Sequence, residues 1–159
     1  FSHMHFDHVG VANDVTSPIL LIQRPEYEAA FAKEVTTPGF DPSLYEELRE
    51  REWEVLDGDH DVFGDGRVRI LSLPGHTPGH QALFVDLALT GPVVLSGDQY
   101  HFRISRAQRI VPDWNVDRDA TLASMDRLES FIEETGSTLW IEHDLARYAA
   151  SVSDAGYHE

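Results

Sequence analysis

The chain has 159 residues, with 12 basic against 28 acidic side chains and a formal net charge of -16. That length fits one domain or a large piece of one, and 42% hydrophobic residues with 10% aromatics are enough for a packed core, which argues against wholesale disorder. The acidity argues against nucleic-acid or anionic-membrane partners, the absence of cysteine removes disulfides and thiolate ligands, and no apolar run approaches the ~20 residues of a membrane span.

The chain opens on Phe1 rather than Met, and its richest motif starts at residue 2. Residues preceding Phe1 are therefore expected in the natural protein. No signal peptide is visible, and a cytoplasmic location is expected. Phe1 to Val11 reads as an extended segment that breaks at Gly10. Pro18 to Gln23 (PILLIQ) is a short apolar run, the pattern of a buried strand. Pro25 to Lys33 reads as a helix, with proline in its first turn and Glu26 and Glu28 near its positive end. Ser43 to Glu52 is a second helical stretch, its acidic run a solvated face. Trp53 to Leu56 reads as a strand, and Asp57-Gly58 as a turn.

The centre is β-like. Asp61 to Phe63 and Arg67 to Leu73 flank Gly64-Asp65-Gly66, a hairpin signature. Gln81 to Leu87 and Val93 to Ser96 follow as strands. From Asp117 to Glu134, apolar residues at Leu122, Met125, Leu128, Phe131 and Ile132 recur at helical spacing, and Gly136 supplies a left-handed cap. Thr138 to Glu142 is a last strand. Mixed elements with central strands predict an α/β fold of sheet layers with helices outside.

The histidines are concentrated. His3, His5, Asp7 and His8 lie within SHMHFDH. On an extended backbone His3, His5 and Asp7 share one side, and His8 joins them only where the chain turns. So dense a set of polar ligand groups needs an ion to organise it in an apolar setting. His76, Asp98 and His143 each follow a predicted strand, in LPGHTPGH, LSGD and IEHD. Together these form seven ligands, too many for one tetrahedral zinc but suited to two metals sharing a carboxylate.

These motifs, in this order, resemble the metallo-β-lactamase superfamily, and within it the N-acyl-homoserine lactonase-like branch, because of the Phe in HFDH and the GHTPGHQ run. The resemblance implies an αββα sandwich over a single domain, residues 1–159. The family's strands that precede the HxHxDH motif have no counterpart here, so the domain is expected to be N-terminally truncated. The resemblance also implies one metal held by His3, His5 and His76, a second held by Asp7, His8 and His143, and Asp98 between them. Two divalent ions, zinc first, are the implied cofactors, although nitrogen and oxygen ligands also suit iron, manganese or cobalt.

The implied reaction is lactone opening by attack of a hydroxide shared by the two metals, a quorum-quenching hydrolase activity. Asp7 would orient the nucleophile or relay a proton. The family carries a tyrosine three residues after the bridging aspartate. Here Tyr100 is two after Asp98 and His101 three after, so either, or neither, takes the role of contacting the substrate carbonyl. The expected partner is a small lactone or ester, and a homodimer is possible. His80 is expected beside the metals rather than on them, and His60 and His158 are expected on the surface. Phe6, Phe40, Tyr100, Phe102 and Trp114 are open either to an acyl pocket or to plain core. Asp144 orients a ligand or caps a turn. Two alternatives stand beside the lactonase reading: another ester or thioester hydrolase of the superfamily, glyoxalase II-like, and a non-catalytic metal-binding fragment.

Overall fold

A computed structural model describes residues 1–16 and 19–146. Among the described residues, seven strands and three α-helices follow one another as β1 (Leu20–Gln23), α1 (Arg24–Ala30), β2 (Trp53–Leu56), β3 (His60–Asp61), β4 (Val68–Ser72), β5 (Gln81–Leu87), β6 (Gly91–Leu95), α2 (Arg103–Gln108), α3 (Arg118–Thr135) and β7 (Thr138–Trp140). Pro18 and His158 lie outside the described residues.

β1 and β2 form a small parallel sheet, Leu20 opposite Trp53 and Gln23 opposite Leu56. The other five strands lie in the order β3-β4-β5-β6-β7, antiparallel except for the parallel β6–β7 pair. The period of two divides the large sheet cleanly. Leu71, Phe84 and Val94 face α3, where Met125 and Leu128 are fully buried against them. Their neighbours Ile70, Leu83 and Leu95 face the other way, into a groove of about 540 Å³ that Leu20 of the small sheet also lines. Each buried Leu or Met of the α3 seam contributes about 1.5–3 kcal/mol. A second core gathers Met4, Ala12, Leu20, Ile22, Ala30, Tyr45 and Leu48 around the small sheet and α1. The expected mixed α/β layering, helices outside the sheets, is therefore the observed one.

Local physics accounts for the helix ends. The Asp117 carboxylate accepts from Ala120 N at 2.9 Å, capping α3, and Gly136 ends it at φ 66°. α1 stops at Ala30, short of the expected Lys33. Ser43 to Glu52 is not an α-helix. It forms two 3₁₀ turns, Pro42–Leu44 and Glu46–Glu50, interrupted at Tyr45 with φ -141°. Tyr45 and Leu48 are the buried pair, and their three-residue spacing is that of a 3₁₀ turn. The Gly64-Asp65-Gly66 loop is closed by a side chain, since the Asp61 carboxylate accepts from Gly64 N at 2.9 Å and Gly66 N at 2.7 Å. Helix α2 had no periodic signal. The expected extended stretch at the start contributes only one bridge, His5 with Phe40.

Candidate metal centre

The topology delivers the ligand-type residues to one edge. β4, β6 and β7 run in the same direction, because β4 and β6 both pair antiparallel with β5 and β7 is parallel to β6. His76, Asp98 and His143 come just after their C-terminal ends. The His76 loop is tied down by Val116 N donating to His76 O, Asp117 N donating to Gly75 O, and Ser124 Oγ donating to Pro74 O. The N-terminal segment is held against β5, where Gln81 N donates to Ser2 O at 2.9 Å. His8 N and Val9 N both donate to His5 O, turning the chain at once after His5. That turn brings Asp7 and His8 to the same centre.

Among the described residues three overlapping groups result. The first joins His3, His5, His76 and Asp98, all buried, the second joins Asp7, His8 and His143, and the third, His8, Asp98 and Glu142, shares its histidine and aspartate with the other two. In the first, His76 Nε2 lies 3.2 Å from His3 Nε2 and 3.0 Å from His5 Nδ1. Asp98 stands between the clusters with two imidazoles at each oxygen. His8 Nε2 and His143 Nε2 are each 3.1 Å from Oδ1, and His76 Nε2 and His101 Nε2 are 3.4 and 3.2 Å from Oδ2. His143 and His8 also flank Asp7 Oδ2 at 3.8 and 3.9 Å.

The protons can be assigned by following the outer ring nitrogens. Thr121 Oγ1 donates to Asp117 O, so it accepts from Asn115 Nδ2, which leaves Asn115 Oδ1 to face His76 Nδ1 at 3.0 Å. His76 must therefore donate from Nδ1 and carry a lone pair on Nε2. His5 Nε2 donates to Pro38 O at 2.9 Å, which leaves a lone pair on Nδ1. These two lone pairs face each other, so the 3.0 Å contact between them cannot be a hydrogen bond. His8 Nε2 and Asp98 Oδ1 are buried and 3.1 Å apart, yet neither meets hydrogen-bond geometry with any partner. Inward-facing lone pairs and orphaned ligand atoms are what a cation would satisfy, so the residues present fit two divalent ions bound through nitrogen and oxygen.

Electrostatics agrees. Burial holds His3 and His5 below the usual histidine range and brings His76 down to about 4, so all three stay neutral. At His8 burial opposes the charged form, but the carboxylates of Asp98, Asp7 and Glu142 outweigh it and the net shift is upward. Burial likewise opposes ionisation of Asp98, but its contacts with His101 and His8 and the nearby His3 overcome that and hold the carboxyl far below its usual range.

Several side chains sit beside the clusters without joining them. His80, brought to about 3 by burial, donates from Nδ1 to Leu73 O and accepts Asp98 N on Nε2, so both its ring nitrogens are occupied by backbone. Gly97 is required there: a Cβ would lie 2.6 Å from His80 Nε2, and its φ is +50°. Ser2 Oγ touches His3 Nδ1 and His8 Nδ1, each at 3.1 Å, linking the outer nitrogens of the two clusters. Sequence reasoning overlooked Ser2 and Asn115, and also Glu142, whose Oε2 is 3.6 Å from His8 Nδ1. Nothing in their local pattern marks them, since their roles depend on contacts made across the fold.

Tyr100 requires a correction. Its phenol is buried and donates to Glu129 Oε1 at 2.8 Å, on the α3 side of the sheet, so it does not reach the centre. His101 does. Its ring stacks on His143 at 5.6 Å between centroids and lines a cavity of about 450 Å³ over the clusters. Phe6, Phe102 and Trp114 form the exposed aromatic wall of that cavity. Phe40 and Tyr100 do not line it; Phe40 packs edge-on against His5 and Tyr100 sits in the α3 core. Asp144 pairs with Arg103, and His60 lies 3.7 Å from Glu54.

Known proteins resemble this chain in sequence and fold. The chain is 29% identical to N-acyl homoserine lactonase AttM of Azorhizobium caulinodans, over 99% of this chain and 62% of that protein. It is 32% identical to an N-acyl homoserine lactonase of Bacillus sp, over 91% of this chain and 54% of that protein. The chain thus spans little more than half the length of these relatives. The solved structure of an N-acyl homoserine lactone hydrolase, with the product N-hexanoyl-L-homoserine bound at its catalytic metal centre, superposes with a TM-score of 0.80 at 30% identity, covering 94% of this chain and 56% of that one. Residues 1–131 match the family model of the metallo-beta-lactamase superfamily, and this chain belongs to that superfamily.

Proposed function

We propose that residues 1–159 act as one metal-binding domain of a hydrolase that opens N-acyl-homoserine lactones. The observation that carries this reading is the inward set of lone pairs on His5 and His76 beside Asp98, beneath the aromatic wall of Phe6, Phe102 and Trp114. The likeness to proteins named as lactonases supports it.

His3, His5 and His76 would hold one divalent cation and Asp7, His8 and His143 a second, with Asp98 offering one oxygen to each. Zinc suits this donor set. Bound there, the cations supply Lewis acidity toward a carbonyl oxygen and lower the pKa of water. Ring opening adds water across the acyl–oxygen bond: the acyl carbon gains a hydroxyl and the ring oxygen leaves with a proton. Asp7, at the rim of the cavity, orients the attacking water. His101, whose ring lines the cavity while its Nε2 lies 3.2 Å from Asp98 Oδ2, takes the place of the family's tyrosine in contacting the carbonyl. Phe6, Phe102 and Trp114 receive the acyl chain by apolar contact.

The test is direct. The zinc-replete chain is incubated with N-acyl-homoserine lactones of graded acyl length, and ring-opened acid is quantified by chromatography. Turnover that rises with acyl length supports the reading, and no turnover at any length rejects it.

A further inference from the structure

Glu26 is the buried carboxylate that this mechanism leaves unused. It sits in the first turn of α1 and is only 1% exposed. Its Oε1 accepts from Met4 N at 2.8 Å and its Oε2 from Gly79 N at 2.8 Å. Met4 lies between His3 and His5, and Gly79 lies on the loop that begins with His76. One side chain therefore spans the two backbone segments that carry all three imidazoles of the first cluster. Contact on the Gly79 side is as close as it can be: a Cβ there would fall 2.5 Å from Glu26 N and 2.6 Å from Glu26 Cβ. Among the described residues, no Lys or Arg is paired with Glu26. A buried carboxylate without a cation is costly, and its net effect on stability alone is unfavourable or small.

What the carboxylate supplies is spacing. Lone pairs facing one another at 3.0 Å repel, so the cluster without a cation tends to spread. A brace between its two backbone supports resists that and leaves the ligands arranged for a metal. We propose that Glu26 is a positioning residue for the first cation, bracing the His3–His5 segment against the His76 loop. The inference rests on the metal reading of this centre and does not depend on which substrate is hydrolysed.

The substitution Glu26→Gln tests it with little change of shape, because one acceptor oxygen becomes an NH2 group facing a backbone N–H. Cobalt(II) and zinc are titrated into the chelator-stripped chain against a competing metal dye, and the cobalt absorption bands are recorded. The parent is expected to bind two equivalents. The Gln variant is expected to lose affinity for one equivalent by about 10- to 100-fold, with altered bands for that equivalent, and to keep the other. Glu26→Asp keeps the charge but reaches only one of the two N–H groups, so it falls between. Two equivalents bound as in the parent, or both weakened alike, would overturn the inference. So would a failure of both variants to fold in saturating zinc, which would make Glu26 a general fold residue. A parent that binds no cation overturns the metal reading together with this inference. A lack of lactone turnover beside a selective metal defect overturns only the substrate assignment.

Discussion

His5 Nδ1 and His76 Nε2 face each other across 3.0 Å with a lone pair on each, because Pro38 and Asn115 take the protons on the far sides of the rings. Two acceptors at that distance oppose folding, and a cation placed among them reverses the sign. Zinc at a hundred times its dissociation constant should then stabilise the chain by about 2.7 kcal/mol per site. Differential scanning fluorimetry with and without zinc would read this as a rise in Tm. His76→Ala should remove about half of the rise, the share of the first site, while equal zinc-induced shifts in parent and variant would contradict the assignment.

His101→Phe keeps an aromatic ring beside His143 but removes the hydrogen-bond donor. Lactone turnover should fall by about 10²- to 10³-fold in kcat, the usual cost of one polar contact to a reacting carbonyl. Zinc content should stay at the parental ratio, measured by atomic emission. Undiminished kcat would remove His101 from the reaction.

Tyr100→Phe should behave in the opposite way. The lost hydroxyl leaves Glu129 with Arg106 alone, and chemical denaturation should report a loss of about 1 kcal/mol. Steady-state lactone kinetics should match the parent. A large kinetic defect at unchanged stability would return Tyr100 to the active centre.

The Arg106 guanidinium, bonded to both oxygens of Glu129, is the main influence holding that carboxyl below its ordinary 4.5, with the Tyr100 hydroxyl assisting. A depressed acid stabilises the fold above its unfolded pKa and loses that contribution as pH falls through its folded one. Urea midpoints measured downward from pH 6 should therefore drop below about pH 4.5, and Arg106→Ala should flatten that part of the curve. An identical acid limb in the variant would show that the pair contributes nothing.

The sequence displayed the strand ends that carry His76, Asp98 and His143, because apolar runs broken by glycine or proline mark where a buried strand surfaces. It displayed α3 from its spacing and its Asp117 and Gly136 caps. It could not separate an α-helix from 3₁₀ turns at Ser43 to Glu52, because the deciding contact is the burial of Tyr45 and Leu48 in a core assembled from distant segments. Tyr100 and His101 were equivalent candidates in one dimension. Consecutive residues on extended backbone point to opposite sides, and only the packing of α3 decides which of them enters the core. Glu26 read as a helix-end charge, since its two backbone partners lie 22 and 53 residues away.

The two hydrophobic cores lie on either side of the ligand cluster, His3, His5, Asp7 and His8 belonging to the segment that packs with the small sheet and His76, Asp98 and His143 to the edge of the large one. Ions seated there would act as rivets through a seam. With the rivets in place, neither half can melt without tearing bonds to the other, so unfolding becomes a single event. Without them the halves keep their own cores and a few hydrogen bonds across the seam, such as Gln81 N to Ser2 O and Gly79 N to Glu26 Oε2, and the seam becomes the first place to open.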